Sequence, residues 1–376
     1  MQIEQSKWTG EAGWTVRSGP AVDADLVFVF GATDKLSDPR LTDGIREAYP
    51  RAHIVGCSTA GEIMGNHVLD DAIVVTGIRF DHTAVAVASV EVAAYGSSAE
   101  IGAAAARALP TKGLSHVIVL SDGKQVNGSE LVAGMTSALP AGIPVTGGLA
   151  GDGSRFDRTL VWSDTGPRAG VVTAVGFYGD RLKVGFGSLG GWDPFGPERL
   201  VTGSKANVLS ELDGKPALAL YKDYLGEHAA GLPATGLLFP LSIRTRDGRS
   251  FVRTILAVDE IAQSLTFAGD VPEGAYARLM KANFDRLVDG AQGAAKTCSA
   301  ADGGGAPDLA LLISCVGRKL VLGQRTEEEV EAVGRVLGNT TRLTGFYSYG
   351  EICPAAPKAS CELHNQTMTI TTLTER

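Results

Sequence analysis

The chain has 376 residues, 44% of them hydrophobic and 20% charged, with a net charge of −8 and a pI near 5.4. That is ordinary for a globular protein and long enough for two or three domains. Both signs of charge are dispersed, which excludes the basic patch that a nucleic-acid or anionic-membrane partner would require.

Residues 1–24 read as polar, with Trp8 and Trp14 as isolated apolar points. Leu26-Val27-Phe28-Val29-Phe30 is a continuous apolar run, the pattern of a strand buried on both faces. Asp38-Pro39 opens a predicted helix to Tyr49, with Leu41 and Ile45 on one face, and His53-Ile54-Val55 returns as a strand. Asp71 to Phe80 and Thr83 to Val92 read as a strand pair turning at Asp81-His82. Ser98 to Leu109 is an alanine-rich helix, His116 to Leu120 a buried strand, Gly128 to Leu139 a helix and Ile143 to Val145 a strand again. Strand-like runs follow at 160–162, 170–176 and 182–186. Residues 190–197 form a turn-rich loop whose Trp192-Asp193-Pro194-Phe195-Gly196 suits a lid, a partner contact or packing between lobes. Glu198 to Leu212 reads as strands around a bend, and Asp213-Gly214-Lys215-Pro216 as a linker.

The second half opens with a predicted helix from Ala217 to Tyr224, then antiparallel strands at 251–258 and 264–267 and a helix from Asn283 to Thr297. A glycine loop spans 301–306, and Leu309 to Ser314 is a buried strand. Thr326-Glu327-Glu328-Glu329 starts a helix with its acids in the first turn, running to Leu337. Arg342-Leu343-Thr344 is a strand, and Cys361 to Leu373 reads as one closing strand. Five cysteines do not make a disulfide framework. The N-terminus has no apolar signal core, and no apolar run approaches the ~20 residues that span a bilayer. The expectation is a reduced, soluble, cytoplasmic protein.

Strand–helix–strand passages near the start, middle and end each finish in a glycine turn. These are Gly56-Cys57-Ser58-Thr59-Ala60-Gly61-Glu62-Ile63, Gly147-Gly148-Leu149-Ala150-Gly151-Asp152 and Gly345-Phe346-Tyr347-Ser348-Tyr349-Gly350-Glu351-Ile352. Such turns at the carboxyl ends of parallel strands lie where α/β sheets bind ligands; each alone is equally a tight turn. The predicted class is α/β: two related lobes of strand–helix–strand units with mixed sheets, pseudo-duplicated, with domains at 25–213 and 216–373.

Gly56 to Ile63, the Gly147 turn and Glu211-Leu212-Asp213-Gly214-Lys215-Pro216-Ala217 resemble the N-terminal FIST domain. Gly345 to Ile352 with Leu363-His364-Asn365-Gln366-Thr367 resembles the C-terminal FIST domain, and the likeness runs from about residue 25 to the end. It implies a small-ligand sensory protein of bacterial signal transduction. No output domain is visible, so the signal would pass to a partner histidine kinase or cyclic-dinucleotide enzyme. Stand-alone members include haem-binding nitric-oxide sensors, which makes haem b the candidate cofactor. The alternatives are a haem-free sensor of a small metabolite such as an amino acid, or a small-metabolite enzyme using Cys57 or the Glu62/Glu351 pair.

The candidate ligand contacts are Gly56, Cys57, Ser58, Thr59 and Glu62 in the first turn, Gly147 and Gly148 in the second, Ser348, Tyr349 and Glu351 in the third, and His364 and Asn365 beyond. Glu62 and Glu351 hold equivalent places; each suits an amine, a cation or a ligand hydroxyl, or its own loop's N–H groups. Cys57 is a reactive thiol if a helix N-terminus lowers its pKa, and a small buried residue otherwise. His364 leads as a haem-iron ligand, ahead of His53, His67 and His116, with Asn365 or Gln366 to fix its tautomer. It serves equally as a hydrogen-bonded residue closing the last strand. Cys353-Pro354 offers a thiolate, and Cys353, Cys361 and His364 would supply three of four zinc ligands, at a spacing that matches no short-loop zinc pattern.

Overall fold

Three pairs of parallel strands carry the fold: Leu26–Gly31 beside His53–Ser58, Leu114–Ser121 beside Val145–Leu149, and Leu309–Cys315 beside Arg342–Ser348. The computed structural model describes the chain apart from residues 11, 16, 17, 20, 164, 302–304 and 356–358 and the side chains of 300 and 301. Leu26–Gly31 and Leu309–Cys315 are buried at every residue, as their unbroken apolar sequences require. Helices Pro39–Ala48, Gly128–Ala138 and Thr326–Leu337 make the crossovers. Asp38 and Asn127 cap the first two by accepting backbone N–H bonds, and Pro39 occupies the first helical position.

Around each pair the chain builds the same surroundings. Ala72–Arg79, Val171–Tyr178 and Met368–Glu375 lie antiparallel against the first strand of each pair. Outside them lie Gln2–Thr9, Ala84–Glu91 and Leu182–Leu189. Each unit then gives a hairpin away. Glu62–Met64 with His67–Leu69 joins Arg342–Ser348. Val161–Ser163 with Gly166–Arg168 joins His53–Ser58, and Gly350–Pro354 with Cys361–His364 joins Val145–Leu149. The exchange covers the free edge that each second parallel strand would otherwise expose. It ties sheets of seven, six and six strands into a ring. The α/β class, the mixed sheets and the internal repetition are as the sequence implied; the copies number three, one to each glycine turn, where the sequence suggested two lobes.

An eight-stranded sheet built from residues 193–281 is inserted in the third copy, between strand Leu182–Leu189 and helix Phe284–Ala301. It has its own core, centred on Leu209, Leu218, Tyr221, Leu265 and Phe267. Asp213-Gly214 turns a hairpin here: Leu212 pairs with Lys215, and Asp213 takes φ +51°.

Five local expectations need correction. Gln2–Thr9 is a strand despite its polar sequence, because Gln5 hydrogen-bonds Thr76 and the Leu343 carbonyl inside the fold. Ala72–Arg79 and Ala84–Glu91 exist but do not pair; both edges of Ala72–Arg79 are taken by Gln2–Thr9 and Leu26–Gly31. Residues 361–373 form two strands in different sheets, broken at Gln366 with φ +63°. The turn-rich segment after Trp192 is the strand Asp193–Lys205; Trp192 itself is buried and donates to the Gln366 carbonyl at 2.9 Å, so it packs the insert against the core. Helix Phe284–Ala301 overruns its predicted end, and the centre of the glycine loop expected at 301–306 lies outside the described residues. No helix among the described residues is long and apolar enough to cross a membrane.

Candidate functional site

The three glycine turns meet at the centre of the ring. A Cβ on Gly56, Gly147 or Gly345 would stand 1.8, 1.9 or 1.8 Å from the carbonyl oxygen of Val29, Val119 or Leu312, each across its own parallel pair. No side chain fits there, which is why all three turns begin on glycine. Beyond these glycines the turns bond one another in a closed cycle. Ala60 N donates to the Tyr347 carbonyl at 2.8 Å, Tyr349 N to Leu149 at 3.2 Å, and Gly151 N to Ser58 at 2.8 Å. The Ser58 hydroxyl adds a bond to the Gly151 carbonyl at 2.7 Å.

Glu62 and Glu351 are nearly superposable in their chemistry. Thr59 Oγ1 lies 2.5 Å from Glu62 Oε1 and Ala72 N donates to Oε2 at 3.3 Å. Ser348 Oγ lies 2.8 Å from Glu351 Oε1, while Thr367 N and Oγ1 reach Oε2 at 3.2 and 2.9 Å. Burial pushes each carboxyl up to about 8, against these hydrogen bonds and the charges of Lys319 and Arg318 respectively. Both are therefore neutral acids at neutral pH, each able to donate a hydrogen bond to the facing hydroxyl. In the second turn Gly153 stands at the corresponding place, and the nearby Asp152 is held by Thr33, Arg155 and Arg158 N.

The structure thus brings Ser58, Thr59, Glu62, Gly147, Gly148, Ser348, Tyr349 and Glu351 together in one packed, buried hub. Gly148 pairs with Glu351 across the donated hairpin, and Glu351 with His364. Cys57 is fully enclosed in the apolar core beside Phe30 and Val55, and burial raises its thiol well above the usual range. Asn365 is buried, its Nδ2 bonded to the His364 carbonyl and its Oδ1 without a hydrogen-bond partner among the described residues. Among the other histidines, His116 is buried against Thr146 and lowered to about 3 by desolvation, and His67 meets Glu327 at the surface.

His364 does not present itself as an iron ligand. Its Nε2 hydrogen-bonds the Cys353 carbonyl at 3.0 Å within its own hairpin, and burial lowers its pKa. Binding iron through Nε2 would break that bond, and His364 lines neither the 460 Å³ cleft nor the 340 Å³ one. Among the described residues no cluster of His, Cys, Asp and Glu is placed to hold a metal ion.

Open space lies beside the hub. A cleft of about 460 Å³ runs where three parts of the molecule meet. Helix Gly128–Ala138 contributes Ser129, Val132, Ala133, Thr136 and Ser137 to it, and the donated hairpin contributes Cys361, Glu362 and Leu363. The inserted sheet contributes Arg249, Phe251, Arg253, Asp270 and Pro272. Its volume lies within the range of small-molecule sites. Arg253, 4% exposed, donates to the carbonyls of Asp270, Val252 and Leu363 at 2.9, 3.2 and 3.1 Å, and its guanidinium lies 4.1 Å from the centre of the Phe251 ring. Desolvation pulls it down to about 10, so it stays cationic at neutral pH. A second cleft of about 340 Å³, lined by Gln5, Asn66, Arg335, Asn339 and Arg342 among others, is mostly polar and glycine-walled. Sequence reasoning did not reach the first cleft. One signal was present: Arg253 falls in phase with Phe251 and Ile255, an inward-facing charge in an alternating strand.

Residues 25–215 match the FIST N domain and residues 217–354 the FIST C domain. The chain belongs to the FIST family. FIST domains are sensory domains of signal-transduction proteins that bind small ligands. An uncharacterized protein of Methanocaldococcus jannaschii is 24% identical over 289 residues, covering 70% of this chain and 55% of the relative, so the chain spans about half the length of that protein. An uncharacterized protein of Mycobacterium tuberculosis is 25% identical over 336 residues, 86% of this chain and 84% of the relative. Cyanuric acid hydrolase from A. caulinodans covers 94% of this FIST chain, and 90% of its own, at 9% identity and a TM-score of 0.39, a likeness too slight to bear on function.

Proposed function

We propose that this FIST protein is a non-catalytic sensor whose small ligand binds in the cleft between helix Gly128–Ala138, hairpin Cys361–His364 and the inserted sheet. The observation that carries the reading is the cleft's position, walled by three parts of the fold that sit in different sheets or layers. A ligand that contacts all three favours one placement of the insert over others, and that differential affinity is what a sensor transmits. The recipient is a separate partner, a histidine kinase or a cyclic-dinucleotide enzyme. Five cysteines without disulfides are consistent with a reducing, cytoplasmic setting. The groups the sequence offered for catalysis are enclosed: Cys57 is a buried thiol, and Glu62 and Glu351 have their oxygens engaged.

The test is a thermal-shift screen of small metabolites against the protein and against Ala133→Trp, which fills the cleft from the exposed side of the helix. Ligands that stabilise the parent should lose their effect in the variant; stabilisation that survives the tryptophan would place binding elsewhere. The haem version has its own readout. With the Nε2 of His364 already bonded, added haem should give no Soret band that shifts with nitric oxide, and such a band would restore it.

A further inference from the structure

We infer that the cleft recognises a singly charged carboxylate on a small, partly apolar molecule, with Arg253 as its anchor. The inference rests on the cleft being the ligand site. Arg253 is the cation with charge to spare there. A guanidinium has five N–H donors. Three are used on backbone carbonyls, and Nη2 has no hydrogen-bond partner among the described residues. No carboxylate lies within ion-pair distance of Arg253 among them either. Its neighbour Arg249, by contrast, is paired with Asp247 and Glu362. A buried cation answered by carbonyl dipoles, the face of Phe251 and the more distant charges of Asp270 and Glu362, with no direct ion pair, is costly, and an incoming anion relieves that cost.

The lining also sets a limit on charge. Asp270 and Glu362 stand in the same cleft, already bonded to Asn127 and Arg249. They would repel a phosphate dianion more strongly than a monoanion. Phe251, Val132, Ala133, Pro272 and Leu363 give the rest of the wall an apolar character suited to a short hydrocarbon body. The bland alternative is that Arg253 is only a strut, tying the insert to the hairpin through Leu363. A strut explains the three carbonyl bonds but leaves two donors unused beside an open cleft.

The experiment titrates benzoate, isovalerate and acetate calorimetrically, with benzamide, isovaleramide and inorganic phosphate as comparators, at fixed ionic strength in chloride. At least one carboxylate should bind saturably, at least about tenfold more tightly than its amide, the range of a charge-assisted hydrogen bond. Arg253→Gln should weaken it by about tenfold or more. Arg253→Lys, which keeps the charge, should retain part of the binding, and Ala133→Trp should abolish it. If carboxylates do not bind, bind no better than amides or phosphate, or bind Arg253→Gln as well as the parent, the assignment fails. Amide binding as tight as the carboxylate's and lost in Ala133→Trp would overturn the carboxylate and leave the cleft standing. Carboxylate binding unaffected by the tryptophan would overturn both.

Discussion

Glu62 and Glu351 are held as acids, and the cause is local. Each sits in the same fold position, with a hydroxyl three residues earlier on one oxygen and a backbone N–H on the other, deep in the hub. Folding therefore requires both to bind protons that the unfolded chain, with ordinary glutamate pKa values of ~4.3, has released. Native protein holds more protons than unfolded between that value and about 8, so stability falls as pH rises through this window and levels off above it. Denaturant unfolding between pH 5 and 9 should show the decline. Glu62→Gln/Glu351→Gln should flatten it, because the amide keeps the shape and has no proton to lose. A parent protein whose stability rises across the same range would show that the carboxyls are charged in the fold. The repeated G-x-x-x-x-G-E-I frame made these two residues legible as a pair; their protonation followed only from burial.

At the scale of elements, one short helix joins the core to the inserted sheet. Arg318, on Val316–Leu322, and Glu329, on Thr326–Leu337, form an ion pair 2.7 Å apart with neither side chain exposed. Ser314 and Tyr347 hydrogen-bond the same Glu329 carboxylate at 2.9 and 2.8 Å. Arg318 continues outward to the carbonyls of Gly190 and Leu287, at the two points where the chain leaves for the insert and returns. Removing one partner strands the other. Arg318→Met should cost about 3–5 kcal/mol in equilibrium unfolding, while adding Glu329→Gln should restore part of that loss. A double variant that loses the sum of the two single losses would argue against coupling. Helix Val316–Leu322 was not foreseen, since its seven residues are too few to establish a helical period. Helix Thr326–Leu337 was, from its acidic first turn.

Across the whole molecule, the hairpin exchange makes the two family segments mutually dependent. Residues 1–215 contain hairpin 62–69 but not its partner strand Arg342–Ser348. They also lack Gly350–Pro354, which covers Val145–Leu149. A 1–215 fragment should expose an unpaired strand edge and aggregate, or unfold without cooperativity, where the full chain melts its three units together. Calorimetry of both answers this; a sharp, reversible transition in the fragment would refute the dependence.

The sequence alone determined the α/β class, the buried strands, most of the long helices and the recurrence of the glycine turns. Each of these is written in local periodicity and in residues with few conformational alternatives. Tertiary structure decided which strands share a sheet. Gln2–Thr9 looked like a polar tail until Thr76 and Leu343 supplied its partners. Ala72–Arg79 and Ala84–Glu91 looked like a hairpin until competing edges claimed them. The cleft belongs to the same class of fact, because Ala133, Arg253 and Leu363 lie far apart in the chain and have a common wall only after the hairpins are exchanged.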